Sequence, residues 1–228
     1  MRLDRFICKS TELTRAEAKE LIHQGRIQVN ELTDLHEAYQ VHENNLITLD
    51  GKTLVPRPSR YLMLHKPAGY VSSNVNGRYP SLFNKISIND VNNLHIAGRL
   101  DRDTTGLVLI TDDGRWSFNI ISPERDCPKR YRVTLQKPIT DEAVAKLEQG
   151  LTLKGLTTPT KPASVEILEP TLVLLTITEG KYHQVKRMFK AVNNKVIALH
   201  REKVGQLELD IELGQWRYLT ENEVSYFQ

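Results

Sequence analysis

AGRLDRDTTGLVLITDDG, residues 97–114, sets a turn crowded with polar groups directly against the apolar run Leu107 to Ile110. The run reads as a strand. A carboxylate on the loop that enters a strand is held by a rigid element yet stays reachable, which suits a nucleophile or a base. Asp101 is therefore the candidate reactive group. Asp103, Thr104 and Thr105 are expected to cap or shape the loop through local bonds to the backbone. Asp112, Asp113 and Gly114 read as a turn and the N-cap of a following helix.

Working outward, YLMLHKP, LHIAG, YRVTLQ, ASVEIL, LVLLTIT, KVIALHRE and WRYLT also read as strands, and TDEAVAKLEQG and GKYHQVKRMFKAV carry helical periodicity. Many strands with few helices, and no regular alternation of the two, predict an α+β body on a mixed, largely antiparallel sheet flanked by helices. Upstream lies a smaller helical module. In LTRAEAKELIHQGR, Thr14 and Glu17 have capping-box spacing, Ala18, Leu21 and Ile22 share a face, and Gly25 ends the helix. Arg15, Lys19 and His23 line another face at i, i+4 and i+8. RIQVN and LITLDG read as short strands, and TLVPRPSR as a linker. The expected division is 1–58 for the module and 59–228 for the body.

Composition narrows the function classes. The 228 residues are 39% hydrophobic, enough for a real core, and contain no apolar run of membrane-spanning length. The start, MRLDRFICKS, lacks the apolar stretch of a secretory signal, so a cytoplasmic location with no membrane partner is expected. Cys8 and Cys127 have no metal-like spacing and are read as free thiols. The net charge of +3 says little, but residues 181–203 hold seven Lys/Arg against one acid, Glu202. Signatures for phosphate-binding loops, dinucleotide folds, serine hydrolases and zinc proteases are absent from the sequence, so the reaction is expected to need neither cofactor nor metal.

AGRLDRDTTGLVLITDDG, LHKPAGYVSS and EGKYHQVKRMF together resemble the RsuA-type pseudouridine synthases, over nearly the whole chain, and TRAEAKELIHQGRIQVN resembles an S4-like RNA-binding module. The resemblance implies that the protein isomerises a uridine of ribosomal RNA, flipped out of its stack. Asp101 would be the catalytic aspartate, acting at the ribose C1′ region while the glycosidic bond breaks and the base rotates. Lys186 of HQVKRM would be the cation that keeps this carboxylate ionised once the base seals it from water. Related synthases mostly carry Arg there, which leaves open a helping role for Arg187. Tyr131 of KRYRVTLQ would stack on the base, although Tyr131, Val133 and Leu135 also alternate like an ordinary buried strand face. Leu199 would line the same pocket and Arg99 would hold RNA or its own loop.

On the helix of HQVKRM, Tyr182, Val185, Phe189 and Val192 are expected to form an apolar seam with Lys186 at its edge. His183 is read as a hydrogen-bonded structural residue. Tyr182-His183 before Gln184 resembles the members that act on small-subunit 16S RNA, and by resemblance the target is uridine 516. Arg15, Lys19, Arg26, Lys181 and Lys190 are the expected phosphate contacts, the partner being that RNA or a small-subunit assembly intermediate met by a monomer. A synthase acting on 23S RNA and an RNA-binding protein without catalysis are the rival readings, together with a glycosidase, which needs two carboxylates flanking the bond. Glu31 departs from the Gly that often follows the Asn in S4-like modules.

Overall fold

The computed structural model describes residues 1–88 and 91–228. It divides into two compact units, Met1–Ser59 with Ile88–Asn93, and Arg60–Ser87 with Leu94–Gln228.

In the first unit α1 (Leu3–Ser10) and α2 (Arg15–His23) pack on a small antiparallel sheet of β1 (Ile27–Val29), β2 (Ile47–Leu49) and β3 (Lys52–Thr53). Leu3, Ile7, Ala18, Ile22, Ile27 and Ile47 make its core, each nearly or fully shielded from water. The α2 cap forms as its sequence dictates: Thr14 accepts from the Glu17 backbone and Glu17 returns a bond to the Thr14 backbone. Gly25 leaves the helix at φ +69°, a left-handed turn that glycine adopts without strain. The helix α1 was not anticipated, although Leu3 and Ile7 sit four residues apart on one face.

The second unit is built on a nine-stranded sheet among the described residues. Its strands are β4 (Tyr61–Lys66), β5 (His95–Ala97), β6 (Thr105–Thr111), β7 (Lys129–Leu135), β8 (Ser164–Glu169), β9 (Leu172–Ile177), β10 (Val196–Val204), β11 (Leu207–Glu208) and β12 (Trp216–Tyr218). The order is β12-β4-β6-β10-β7-β9-β8, with β5 beside β6 and β11 beside β10. Every pairing is antiparallel except β6 with β10, which makes the sheet mixed and largely antiparallel, as expected. Four α-helices accompany it among the described residues: α3 (Gly114–Ile121), α4 (Asp141–Gln149), α5 (Gln184–Ala191) and α6 (Glu221–Ser225). Asp113 caps α3 by accepting from the backbones of Arg115 and Trp116.

The parallel contact positions the site. At the start of β6, Thr105 and Gly106 lie opposite His200 and Arg201, whereas its far end pairs with β5. A Cβ on Gly106 would stand 2.2 Å from the Arg201 carbonyl oxygen, so only glycine lets the two strands meet there. Leu107 and Leu109 then anchor β6 in a core with Met63, Trp116 and Phe227. Burying each such leucine stabilises the fold by roughly 1.5–3 kcal/mol. The loop just before β6 is thereby tied to the centre of the sheet. No helix among the described residues is long and apolar enough to cross a membrane, and Cys8 and Cys127 are both buried and not joined by a disulfide.

Candidate active site

The loop 98–104 is fastened from three sides. Lys66, the last residue of β4 and wholly buried, donates from its ammonium to the carbonyls of Thr104 at 2.8 Å, Pro67 at 3.1 Å and Arg102 at 3.2 Å. Burial, partly offset by Asp103 and Asp101, lowers its pKa to about 8. Arg201 of β10, 1% exposed, donates to the carbonyl of Gly98 at 2.7 Å and to that of Leu107 at 2.8 Å. Ser72 closes the third side, its hydroxyl donating to the Leu100 carbonyl at 2.8 Å and accepting from the Leu100 N–H at 3.1 Å.

Asp101 projects from this braced loop into a cleft of about 690 Å³, within the range of small-molecule and nucleotide sites. Its Oδ2 accepts from Lys186 Nζ at 2.8 Å, and its Oδ1 lies 3.3 Å from His183 Nε2. Lys186 also donates to Asp103 Oδ1 at 2.6 Å. One ammonium therefore serves two carboxylates. Burial works against the charge of Lys186, but its bonds to Asp101 and Asp103 outweigh it and raise its pKa. Burial likewise opposes ionisation of Asp103, and Lys186 reverses the balance and lowers its pKa.

Tyr131 and Leu199 line the same cleft from β7 and β10, and both are buried. Arg201 pairs in register with Tyr131, and its guanidinium carbon is 5.9 Å from the centre of the Tyr131 ring. The alternation of Tyr131, Val133 and Leu135 is therefore a buried strand face and a cleft wall at once. Arg99 lies exposed at the rim. The structure thus brings Asp101, Lys186, Tyr131, Leu199 and Arg99 to one hollow.

Several expectations need correction. Asp103 does not merely shape its loop; it shares Lys186 with Asp101, and Thr105 Oγ1 meets His200 Nδ1 at 2.8 Å instead of capping locally. Helix α5 starts only at Gln184, because His183 has φ +49°, so Tyr182 falls outside the seam and is 74% exposed. Val185, Met188 and Phe189 form the buried face. The left-handed turn instead aims His183 at Asp101, with Tyr182 stacked on its ring at 3.8 Å between centroids. Arg187 turns away from Asp101 and donates to the carbonyls of Tyr182 and Lys154.

The basic groups expected at phosphates mostly hold acids of the protein itself. Arg15 donates to Asp4 at 2.8 Å, Lys19 to Glu37 at 3.1 Å, Arg26 pairs with Asp50, and Lys181 reaches Glu179 at 2.5 Å. Lys190 is exposed on α5. Lys66 and Arg201 had no assigned role in the sequence reading. A lysine ending the apolar run YLMLHK, and an arginine two residues past Leu199 on the same strand face, were the signals for them.

Known proteins resemble this arrangement along its whole length. The family profile of RNA pseudouridylate synthases matches residues 60–191, and that of the S4 domain matches residues 1–47. Relatives named ribosomal small subunit pseudouridine synthase A include those of Vibrio cholerae, 45% identical over 99% of this chain and 98% of the relative, and of Escherichia coli, 43% identical over 99% of each. A crystal structure of a pseudouridylate synthase superposes with a TM-score of 0.74 at 43% identity, covering 100% of both chains. With an acid, its lysine and a tyrosine around one cleft, and with relatives this close over their full length, the chain belongs to the RNA pseudouridylate synthase family and carries an S4 domain at its N-terminal end.

Proposed function

We propose that the protein converts one uridine of small-subunit ribosomal RNA, uridine 516 by family resemblance, to pseudouridine at Asp101. The observation that carries this reading is the 2.8 Å contact between Asp101 and Lys186 inside a cleft of nucleotide size. An extruded uridine entering the cleft displaces water from the Asp101 carboxylate, and Lys186, 2.8 Å away, supplies the opposite charge that replaces that water. Addition to C1′ and removal of a ribose proton both require the ionised form.

The reaction is balanced without a co-reactant. The N1–C1′ bond breaks, the base turns, C5 bonds to C1′, and the proton lost from C5 is matched by the one gained at N1. Tyr131, on the wall of the cleft, is the stacking partner for the turning base; such stacking contributes roughly 1–3 kcal/mol per base. Leu199 supplies apolar wall beside it. Exposed Lys190 can meet phosphate as it stands, whereas Arg15, Lys19, Arg26 and Lys181 would first exchange their acid partners for RNA.

Asp101→Asn is the test. The variant is expected to bind the RNA with near wild-type affinity and to form no pseudouridine, read by chemical mapping of the RNA. Full activity in the purified variant would overturn the assignment. Mapping ribosomal RNA with and without the gene fixes the target: one site missing from the small-subunit RNA is expected, and a missing large-subunit site would refute it.

A further inference from the structure

Most cations of this protein are neutralised by its own acids or buried against its own carbonyls. Four at the cleft and its neighbouring loop are not. Arg78, Lys85, Arg99 and Arg102 have no carboxylate at ion-pair distance among the described residues, and the three arginines are exposed. Two of these arginines converge on one ring. The guanidinium carbon of Arg102 lies 4.3 Å from the centre of Tyr79, and that of Arg78 lies 5.6 Å from it. Arg102 itself lines the Asp101 cleft.

The loop that carries Arg78 and Tyr79 is rigid by construction. Val71 donates its N–H to the Pro80 carbonyl at 3.0 Å, and Leu82 donates to the Val71 carbonyl at 2.9 Å, so the loop closes on itself. Asn76 Oδ1 accepts from the Ser81 N–H and from Asn84 Nδ2, both at 2.9 Å. Asn74 donates to the Leu94 carbonyl at 2.6 Å, and Ser72 and Leu100 exchange the two bonds described above. Arg102 is pinned as well, its carbonyl accepting from Gly69 N–H and Lys66 Nζ. Two guanidinium groups held over one aromatic ring on fixed backbone have little freedom left to lose on binding. They are preorganised for an anion.

We propose that Arg78, Tyr79 and Arg102 form a phosphate clamp at the mouth of the Asp101 cleft, gripping the backbone of the unpaired RNA that flanks the extruded uridine. Tyr79 sets the arginines by cation–π contact and the two forks engage phosphodiester oxygens. Sequence is not read here. The clamp supplies the salt-sensitive share of affinity and fixes the strand so that the target nucleotide swings into the cleft. It rests on the reading of this protein as an enzyme of RNA.

The test measures binding of a short RNA hairpin containing the target uridine, across a salt series, on Asp101→Asn protein so that turnover plays no part. Arg78→Ala with Arg102→Ala is expected to lower the slope of log affinity against log salt by about 1.4–1.8, the release of two phosphate contacts. Arg78→Lys with Arg102→Lys should keep most of the slope, and Tyr79→Phe should match wild type. In otherwise wild-type enzyme the double alanine variant should raise KM at least tenfold, with a smaller change in kcat. An unchanged slope in a double alanine variant that melts at the wild-type temperature overturns the clamp. If wild-type protein makes no pseudouridine while the double alanine variant still shows the fall in slope, the catalytic reading is refuted and the clamp stands.

Discussion

The N-terminal module and the Asp101 cleft both set cations against carboxylates, in opposite arrangements. Asp4 has a fully buried side chain, and the arginines it receives, Arg2 and Arg15, are 35% and 49% exposed. Asp101 is itself 29% exposed, and its partner Lys186 is 27% exposed and shared with Asp103. In the module a buried acid collects cations and leaves a satisfied, structural knot. In the cleft two acids share one ammonium at a position that a substrate can enter. A count of lysines and arginines cannot separate these cases, because what matters is which member of each pair water, or a substrate, can reach.

The comparison breaks first at Lys186. Lys186→Met should lower kcat by about 10²–10³-fold, the usual cost of removing one group that stabilises charge in a closed site. Activity within tenfold of wild type would reduce the pair to a surface bridge.

A smaller effect is expected at the buried acid of the module. Asp4→Asn should cost about 1–2 kcal/mol of stability, below the 3–5 kcal/mol of a wholly buried pair because the arginines keep contact with water. Hydrogen exchange of the amides in residues 1–59 of the full chain reads it directly, and protection equal to wild type would show the knot to be idle. Acid should act on the same knot. Burial alone would raise the Asp4 pKa, but Arg2 and Arg15 lower it below the ordinary 3.8; Lys19, with smaller help from His23 and His36, lowers Glu37 from 4.5 to about 2. Carboxylates depressed in the folded state stabilise it above their ordinary pKa, so this contribution fades as pH falls from about 4.5 to 2.

Much of this was legible in the sequence because it depends on local pattern. The alternation of YRVTLQ, the apolar run after GRLD and the Thr14 to Glu17 spacing each dictate a strand or a cap through neighbouring residues alone. The place of Asp101 in the loop before a strand could be read for the same reason. What escaped depends on partners distant in the chain. Lys66 reads as a strand-end lysine until the carbonyls of Arg102 and Thr104 close around it, and Arg201 reads as one more basic residue until Gly98 and Leu107 accept from it. The helical placement of His183 failed because His183 is itself left-handed, just before the helix, which turns its ring away from the position that helical periodicity assigns. The stripe of Arg15, Lys19 and His23 lies on one face of α2, as the spacing requires, but its neutralisation by Asp4 and Glu37 is tertiary.

Lys66 sharpens the cleft side of the contrast through pH. With a pKa of about 8 against an ordinary 10.5, the folded protein releases this proton before the unfolded chain does. Between about pH 8 and 10.5 the unfolded state binds more protons, so this group makes stability rise with pH. Activity should go the other way, because the neutral amine has one donor fewer for the carbonyls that fix the Asp101 loop. A severalfold fall in kcat centred near pH 8, without a matching fall in melting temperature, is the expected signature; kcat flat across that pH would show that the charge is dispensable.

The smallest effect lies in the module, where the sequence departs from its family pattern. Val29 and Leu32 exchange two backbone hydrogen bonds at 3.0 Å around Asn30 and Glu31, which have φ +48° and +74°. Two positive φ values inside a two-residue loop make the tight hairpin turn that prefers Asn-Gly. Asn30 tolerates that conformation and braces the loop by accepting from the Leu46 N–H at 2.8 Å, but the Cβ of Glu31 is strained there. Glycine at this position relieves the strain while adding freedom to the unfolded chain, two effects of opposite sign. Relief should win in so closed a turn, and Glu31→Gly should stabilise the module by about 0.5–1 kcal/mol in the same exchange measurement, leaving kcat at the cleft unchanged. A destabilised variant would mean that the turn relaxes around Glu31 and that the strain read from its φ is not stored in solution.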